Sequence, residues 1–332
     1  MAKIKDTDYL FLSTRVRAME NNLLNRERME RMLDASSVED AAKVLQECGY
    51  AEMSQVGAHV LEQALAEQRK KLYDDLSGVA PDRNIIDVFK TKHDYHNAKT
   101  ILKAEAMGSD PTNLLTDTGR VPVSKMADGI LNNDLRDLPA VLRASVARAR
   151  EVLSTTGDPQ LADFILDRAY FEDMFQLAEA SGSAFLKGYV RMNVDVANLR
   201  SVVRTLRMGK GADFLKGVLF AGGSIDPDRI LAAVNAGTSI EEVYATSSLR
   251  EAAEAGAASL NGGGLTRFEK LTDDAITAYL TGAKNISFGE APIVAYLAAK
   301  ENELTAVRII MSGRMAGLDT DTIRERLRES YV

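Results

Sequence analysis

The amino-acid sequence predicts an all-α protein on three observations. Good helix formers (Ala, Leu, Glu, Arg and Met) are abundant, while the 332 residues include only seven prolines and no tryptophan. Apolar residues recur at helical spacing, as in the stripe of Leu199, Val202 and Leu206. No segment combines strict alternation with the β-branched richness of a strand. Long stretches such as 62–76 and 138–153 are therefore predicted helices.

A short pattern occurs three times along the chain. In each copy an acidic residue is followed five residues later by a basic residue, and a glycine lies nine residues beyond the base. The copies are Asp94, Lys99 and Gly108; Asp195, Arg200 and Gly209; and Glu303, Arg308 and Gly317. They are spaced by a little over 100 residues, which is enough for a domain with its own core. The pattern predicts one helical module used three times.

A second set of polar residues supports the repeat. Ser36, Asn133 and Thr238 each precede an aliphatic residue by two positions, and we expect them to be helix N-caps. Two of them are followed three residues later by a glutamate, which is the spacing of a capping box. The repeated glycines are expected just beyond helix ends, where a positive φ costs glycine little. Each module should contain a capped helix early and a glycine-ended helix late.

Breaks that follow the repeated glycines divide the chain into three predicted modules. Glycines and prolines near 108–125 and 209–228 mark the boundaries. The modules span 1–115, 116–225 and 226–332. Within each module, we expect the repeated acid and base to tie helices together.

Composition excludes several classes of protein. Apolar content of 45% and charged content of 27% are typical of a soluble globular protein. The net charge of −7 lacks the basic balance of a nucleic-acid-binding protein. The N-terminus has no apolar core of a signal peptide, and no stretch approaches the ~18–20 apolar residues that span a bilayer. The lone Cys48 favours a reducing cytoplasm, and we expect it to have a packing role.

The sequence carries no convincing catalytic or ligand-binding signature. The nearest approach to a phosphate-binding loop, 209–211, lacks the Ser or Thr after its lysine and a strand before it. His93 and His96 can share a helix face, but zinc requires three or four ligands. The other copies of the repeat have Ala197 and Thr305 at the position of His96. We therefore predict no catalytic residue, no cofactor and no metal.

One segment is a candidate for binding a partner. Residues 187–210 include six basic side chains against Asp195 alone, although the whole chain is acidic. The candidate interface residues are Arg191, Arg200, Arg204, Arg207 and Lys210. A basic face of this kind favours docking of an acidic partner. The alternative is a solvated helix face, or ion pairs with acids elsewhere in the chain.

Three segments carry a resemblance to a known family. They are 12–20 (LSTRVRAME), 94–99 (DYHNAK), and 298–304 (AAKENEL) continuing into 308–313 (RIIMSG). In this order they are similar to the C subunit of bacterial and archaeal V-type (A-type) ATP synthases, whose eukaryotic counterpart is the d subunit of the vacuolar ATPase. The similarity extends over essentially the whole chain. The third copy departs from strict symmetry, with Ala306 in place of an asparagine.

The resemblance implies both an architecture and a role. It implies three similar helical domains with pseudo-threefold symmetry, forming a funnel. It also implies a non-catalytic central-stalk subunit that links the central shaft to the membrane rotor ring and transmits torque for ATP-coupled proton or sodium transport. The implied partners are the shaft and ring subunits. The implied location is cytoplasmic and peripheral to the membrane, with no insertion into it.

Two other interpretations stay open. A free-standing helical adaptor would use the repeats as a peptide-binding concavity. A metal-dependent all-α enzyme would use His93 and His96 with nearby acids.

Overall fold

The computed structural model describes residues 4–53 and 55–332, and this part of the chain is all-α, without a β-strand. Residues 1–3 and residue 54 of the first predicted module lie outside it. The α-helices in chain order are α1 (Leu10–Glu20), α2 (Arg26–Asp34), α3 (Val38–Gln46), α4 (Ala58–Ser77), α5 (Asn84–Met107), α6 (Val123–Leu131), α7 (Ala140–Thr156), α8 (Pro159–Ser181), α9 (Ala184–Arg207), α10 (Ala212–Val218), α11 (Pro227–Asn235), α12 (Ile240–Tyr244), α13 (Arg250–Leu260), α14 (Thr266–Thr281), α15 (Ala291–Met315) and α16 (Thr320–Arg324). The predicted fold class is confirmed.

Short 3₁₀ helices at Asp6–Tyr9, Thr112–Leu114 and Gly282–Asn285 supplement the α-helices. Within the described ranges, no helix combines the length and the apolarity needed to cross a lipid bilayer.

The repeat lies on the three longest helices of the described chain, α5, α9 and α15, which have 24, 24 and 25 residues. Their terminal glycines, Gly108, Gly209 and Gly317, have φ values of 62°, 69° and 69°. The amide after each glycine donates to the carbonyl five residues earlier, in the pairs Ser109 to Ala104, Lys210 to Thr205 and Leu318 to Gly313. This is the Schellman ending, in which glycine accepts the left-handed conformation without a Cβ penalty. The predicted glycine-ended helices are confirmed.

The predicted N-caps are wrong, by one residue in two cases. Ser37, not Ser36, caps α3, and its Oγ accepts the amide of the residue three positions later at 3.0 Å. Ser239, not Thr238, caps α12. In both pairs adjacent hydroxyls can cap, so spacing alone does not decide between them. Asn133 follows the end of α6 with φ of 55°, a conformation that asparagine tolerates at a helix end.

The chain divides into two compact units. One consists of the residues up to Pro81 together with Arg191–Val332, and the other of Asp82–Val190. The second unit is contiguous in sequence, whereas the first combines the beginning and the end of the chain.

Three apolar cores lie within these units, and each has the same construction. In the contiguous unit, the second half of α5 packs with α6, α7 and α8. In the other unit, the second half of α9 packs with α10 to α14. The second half of α15 packs there with α2, α3, α4 and α16. Each long helix therefore completes a core formed mainly by helices outside its own predicted module, although α10 and α16 lie in the same predicted modules as α9 and α15. The division into 1–115, 116–225 and 226–332 stays a prediction.

Candidate functional site

The structure shows what surrounds the histidine pair, His93 and His96, and the glycine-rich segment 209–211. Nε2 of His96 lies 2.9 Å from the carbonyl oxygen of Leu114, and His93 is buried. Among the described residues, no three His, Cys, Asp or Glu side chains come together in a group that could hold a metal ion. The segment 209–211 follows the end of α9, and Lys210 Nζ lies 4.0 Å from the centre of the Phe214 ring.

Cys48 lies in the core formed by α15 with α2, α3 and α4. The residue is 3% exposed, and burial raises the pKa of its thiol to about 11. Because the thiolate is the reactive form, this environment suits packing and not nucleophilic chemistry. The predicted packing role is confirmed.

The acid of each repeat performs one function in all three copies. Asp94, Asp195 and Glu303 are buried. Each accepts a hydrogen bond from a backbone amide of the residue that immediately precedes the N-cap of another helix. The donors are the amides of Val121, Ile225 and Leu24, at 3.1, 3.3 and 2.8 Å. The helices that follow are α6, α11 and α2, and each has nine residues. The acid therefore fixes the start of an equivalent helix three times.

The charge of the acid is balanced differently in each copy. Asp94 pairs with Arg120 at 2.6 Å, and Arg120 also pairs with Asp173 at 2.6 Å. Burial raises the pKa of Asp94, and Arg120 opposes that rise. Asp195 accepts two bonds from the Ser224 amide, at 2.7 and 3.0 Å, in addition to its bond from Ile225. The Arg120 amide donates to Asp94 in the same way, at 2.9 Å, so the second copy keeps the backbone bonds and lacks the arginine side chain.

Two glycines let the short aspartates reach the backbone. A Cβ added at Gly119 would overlap Oδ1 of Asp94, and one at Gly223 would overlap Oδ1 of Asp195. The corresponding position of the third copy, two residues before Leu24, is Asn22. Glutamate is longer by one methylene, so its carboxylate reaches Leu24 from farther away.

An asparagine three residues after the acid satisfies a loop peptide in two copies. Asn97 accepts from the Thr116 amide at 3.0 Å and donates to the Thr116 carbonyl at 2.8 Å. Asn198 does the same for Phe220, with both distances 2.8 Å. A buried peptide without partners would be costly, and one carboxamide supplies both the acceptor and the donor.

The third copy needs no asparagine because its corresponding peptide is helical. Thr116 and Phe220 lie five residues before the amides that bind the acid, and the equivalent residue before Leu24 is Met19. Met19 lies in the last turn of α1, where its carbonyl accepts the Asn22 amide at 3.0 Å. Ala306, which replaces the asparagine, is therefore matched to a backbone that α1 already satisfies.

The repeated base ties its long helix to another helix of the same core. Lys99 pairs with Asp167 on α8, Arg200 with Asp273 on α14 at 2.7 Å, and Arg308 with Glu62 on α4 at 2.6 Å. Ion pairing between helices was predicted and is confirmed. Each partner, however, lies outside the predicted module of its base, because the long helices complete cores built mainly from helices of other modules. The expectation of pairing within each module was wrong in this respect.

The five candidate interface residues have unequal surroundings. Arg200 and Arg204 pair with Glu269, at 2.9 and 2.8 Å. Arg207 donates to the Gly263 carbonyl at 3.1 Å, and Lys210 covers the Phe214 ring. Within the described ranges, Arg191, Arg207 and Lys210 form no ion pair with a carboxylate, and all three are exposed. The prediction that this face binds a partner stays a prediction, and these three residues are its free charges.

A second exposed surface was missed by sequence reasoning. Leu10 and Phe11 are 48% and 67% exposed, and Ile286 and Phe288 are 38% and 42% exposed. Hydrogen bonds between Ser13 and Gly289, and between Arg17 and the Ile286 carbonyl, join the two segments. Clustered exposed apolar side chains mark interaction surfaces more often than scattered ones do. The two segments lie far apart in the sequence, so no local pattern predicted that hydrogen bonds join them.

Comparison with known proteins agrees with the resemblance of the sequence segments. The model of the ATP synthase (C/AC39) subunit family matches residues 12–326. The chain is 25% identical to the C subunit of the V-type sodium ATPase of Enterococcus hirae, over 98% of this chain and 99% of that one. It is 25% identical to the C subunit of the A-type ATP synthase of Haloferax volcanii, over 96% of each. It is 28% identical to the C subunit of the V-type ATP synthase of Thermus thermophilus, over 64% of this chain and 68% of that one.

The predicted resemblance is thereby confirmed over nearly the whole chain. Because the family model extends from residue 12 to residue 326, the chain belongs to the family of ATP synthase (C/AC39) subunits.

Proposed function

We propose that this chain is the non-catalytic central-stalk subunit of a V/A-type rotary ATPase. In this role it links the central shaft to the membrane rotor ring and transmits torque for ATP-coupled proton or sodium transport. The observation that carries the proposal is the family match over residues 12–326. Full-length similarity to relatives named as ATPase and ATP synthase subunits supports it.

The internal contacts suit a part that transmits force. Each long helix is held by a buried acid at one point and by an ion pair one turn and a half farther along, as with Asp94 and Lys99. Close-packed interiors have low compressibility and transmit strain. A helix held at two points against one core resists rotation about its axis, which favours stiffness over flexibility.

The architecture is part of the proposal. We infer three modules at 1–115, 116–225 and 226–332, arranged as a funnel with pseudo-threefold symmetry on the cytoplasmic side of the membrane. Support comes from three equivalent acid–amide contacts followed by helices of nine residues each. The proposal assigns no catalytic residue, cofactor or metal to the chain.

The basic face of α9 supplies a candidate contact. Arg191, Arg207 and Lys210 are exposed and lack carboxylate partners in the described part of the chain. We propose that they meet an acidic surface of a shaft or ring subunit, since opposite potentials favour association. Arg200 and Arg204 contribute less, because Glu269 already neutralises part of their charge.

Purification through a tag on this chain tests the proposal. We expect the other subunits of a membrane ATPase to co-purify, and we expect deletion of the gene to abolish ATP-driven ion transport by membrane vesicles. A free-standing adaptor is the alternative, and it predicts recovery without ATPase subunits and unchanged transport. Calorimetry of the isolated chain with Mg-ATP should detect no tight site. A tight, stoichiometric site would contradict the non-catalytic role.

A further inference from the structure

The core that α15 completes is assembled from both ends of the chain. It contains apolar residues between Leu24 and Leu65 and between Leu304 and Leu327. The core of the contiguous unit, by contrast, draws only on residues between Tyr95 and Ala169. The apolar core of α2, α3 and α4 is therefore incomplete until α15 packs against these helices.

Glu303 is the centre of a buried polar cluster at this junction. Its Oε2 accepts the Leu24 amide at 2.8 Å, and its Oε1 accepts the Tyr50 hydroxyl at 2.8 Å. Oε1 also pairs with Lys300 Nζ at 2.5 Å. Glu303, Tyr50 and Lys300 are 4%, 5% and 6% exposed. One carboxylate thus connects α15 both to the segment before α2 and to the segment after α3.

Contacts on either side leave Glu303 as the central connection. Arg69 on α4 pairs with Glu301 at 2.9 Å. Arg314, near the end of α15, donates to the carbonyls of Leu33 and Ala35 at the end of α2. The positive charge of Arg314 is favourable at the C-terminus of α2, but this side chain contacts only the carbonyls at that end of the helix. Within the described chain, Glu303 alone holds both the start of α2 and a buried cation.

Chain connectivity distinguishes this contact from its two equivalents. Asp94 reaches a backbone segment 26–27 residues away, and Asp195 reaches one 29–30 residues away. Glu303 reaches Leu24 across 279 residues. The probability of closing a loop falls as the three-halves power of its length, so the third contact is about thirtyfold less favoured by connectivity alone. The long separation leaves side-chain contacts and packing to keep this joint closed.

We propose that Glu303 is a latch that holds the N-terminal helices α2 and α3 onto α15. Release of the latch opens α2, α3 and the first turns of α4 together and leaves the contiguous unit, residues 82–190, closed. Proteins open locally in cooperative segments of this kind, with protection that differs between segments. Protection of the junction of the two chain ends therefore depends on Glu303. This inference does not depend on the proposed function.

Hydrogen exchange of the full-length chain, followed by mass spectrometry of its peptides, tests the latch. Glu303→Ala should raise exchange across residues 24–65 about tenfold or more while residues 84–181 exchange as in the wild type. Glu303→Gln keeps an acceptor for the Leu24 amide but loses the charge that pairs with Lys300, so its effect should be smaller. Asp94→Ala is the matched control, because its increase should fall within residues 84–181.

Two outcomes would overturn the latch. One is wild-type protection of residues 24–65 in Glu303→Ala, and the other is an equal increase in residues 24–65 and 84–181. If Glu303→Ala does not yield folded protein, Tyr50→Phe removes a single hydrogen bond from the cluster. That variant must still raise exchange in residues 24–65 selectively, and unchanged exchange there would also overturn the proposal.

Discussion

At the scale of single residues, the three copies of the repeat show which substitutions are coupled. An aspartate at position 94 or 195 occurs with a glycine at 119 or 223, because the short carboxylate occupies the space of a Cβ. A glutamate at 303 occurs with Asn22, because the longer side chain reaches the amide from farther away. The acid and the residue two positions before its amide therefore form one structural unit.

Gly119→Ala should destabilise the contiguous unit. Its new Cβ would overlap Oδ1 of Asp94, so the carboxylate or the loop must shift, and overpacking of this kind costs about 1–3 kcal/mol. Unfolding in urea, followed by circular dichroism, measures the change in the free energy of unfolding. Gly264→Ala is the control, because a Cβ at Gly264 meets no atom within 4 Å. Equal stability of the two variants would contradict this account of the repeat.

Cys48 should react slowly with iodoacetamide in the folded chain. The pKa of Cys48 is about 11, compared with an ordinary value of 9.0 for a cysteine thiol. At pH 9, therefore, only about 1% of the thiol is ionised in the folded chain. Because burial raises the pKa, the folded state holds its proton more tightly than the unfolded state. This contribution to stability is complete below pH 9 and is lost as the pH rises towards 11.

Mass spectrometry provides the measurement, since the chain contains a single cysteine. Alkylation at pH 9 should be much faster in urea than in buffer. Equal rates in the two conditions would show that the thiol is accessible and ionised in the folded chain.

At the scale of helices, the existence of the elements was predictable and their partners were not. Apolar periodicity and the repeated glycines located α5, α9 and α15, because both are local properties of the sequence. The capping serines were misplaced, since two adjacent hydroxyls satisfy the same spacing. The amide bound by Asp94 belongs to Val121, in a loop whose path depends on tertiary packing. The sequence therefore identified the repeated acid but not the backbone amide that it binds.

The first helix explains why the third repeat diverges. In the first two copies a loop leads to the acid-bound amide, and an asparagine satisfies one of its peptides. In the third copy α1 leads there, and its own helical bonds satisfy the equivalent peptide at Met19. Divergence at Ala306 follows from this change of element and not from loss of the repeat.

Opposite exchanges at equivalent positions should both destabilise the protein. Asn97→Ala leaves the amide and carbonyl of Thr116 without their partners, at a cost of about 1–3 kcal/mol. Ala306→Asn restores the pattern of the repeat, but it buries a carboxamide where α1 leaves no free peptide. Melting temperatures of both variants test this pair. An increase for Ala306→Asn would show that the third copy retains an unsatisfied peptide.

At the scale of the whole molecule, net charge and local charge have different consequences. The chain carries a net charge of −7, yet α9 and the residues after it present free basic groups. Ion pairs with Glu269 and Asp273 absorb the charge of Arg200, which supports the alternative of internal pairing for that residue. Arg191, Arg207 and Lys210 remain for a partner, so the two roles divide among the five candidates.

Reversal of charge separates these roles. In Arg200→Glu, Glu269 and Asp273 keep Arg204 and Arg328 as partners but face a third carboxylate in place of Arg200, so the melting temperature should fall. A combined change of Arg191, Arg207 and Lys210 to glutamate should leave the melting temperature nearly unchanged, since exposed basic groups without carboxylate partners contribute little to stability.

Binding can be measured to an ATPase subcomplex from which this chain is missing. The same triple variant should bind that subcomplex more weakly than the wild type does. Repulsion replaces attraction at three positions, and a loss of roughly several-fold to a hundredfold corresponds to about 1–3 kcal/mol. Added salt should weaken wild-type binding for the same reason, because exposed charges are screened beyond about 8–10 Å. The matched control reverses Lys125, Arg143 and Arg229, which are also exposed and basic. It makes the same change in net charge, so an equal loss of binding would indicate long-range attraction and not a local contact. Wild-type binding by the first triple variant, with its fold preserved, would remove the basic face from the interface.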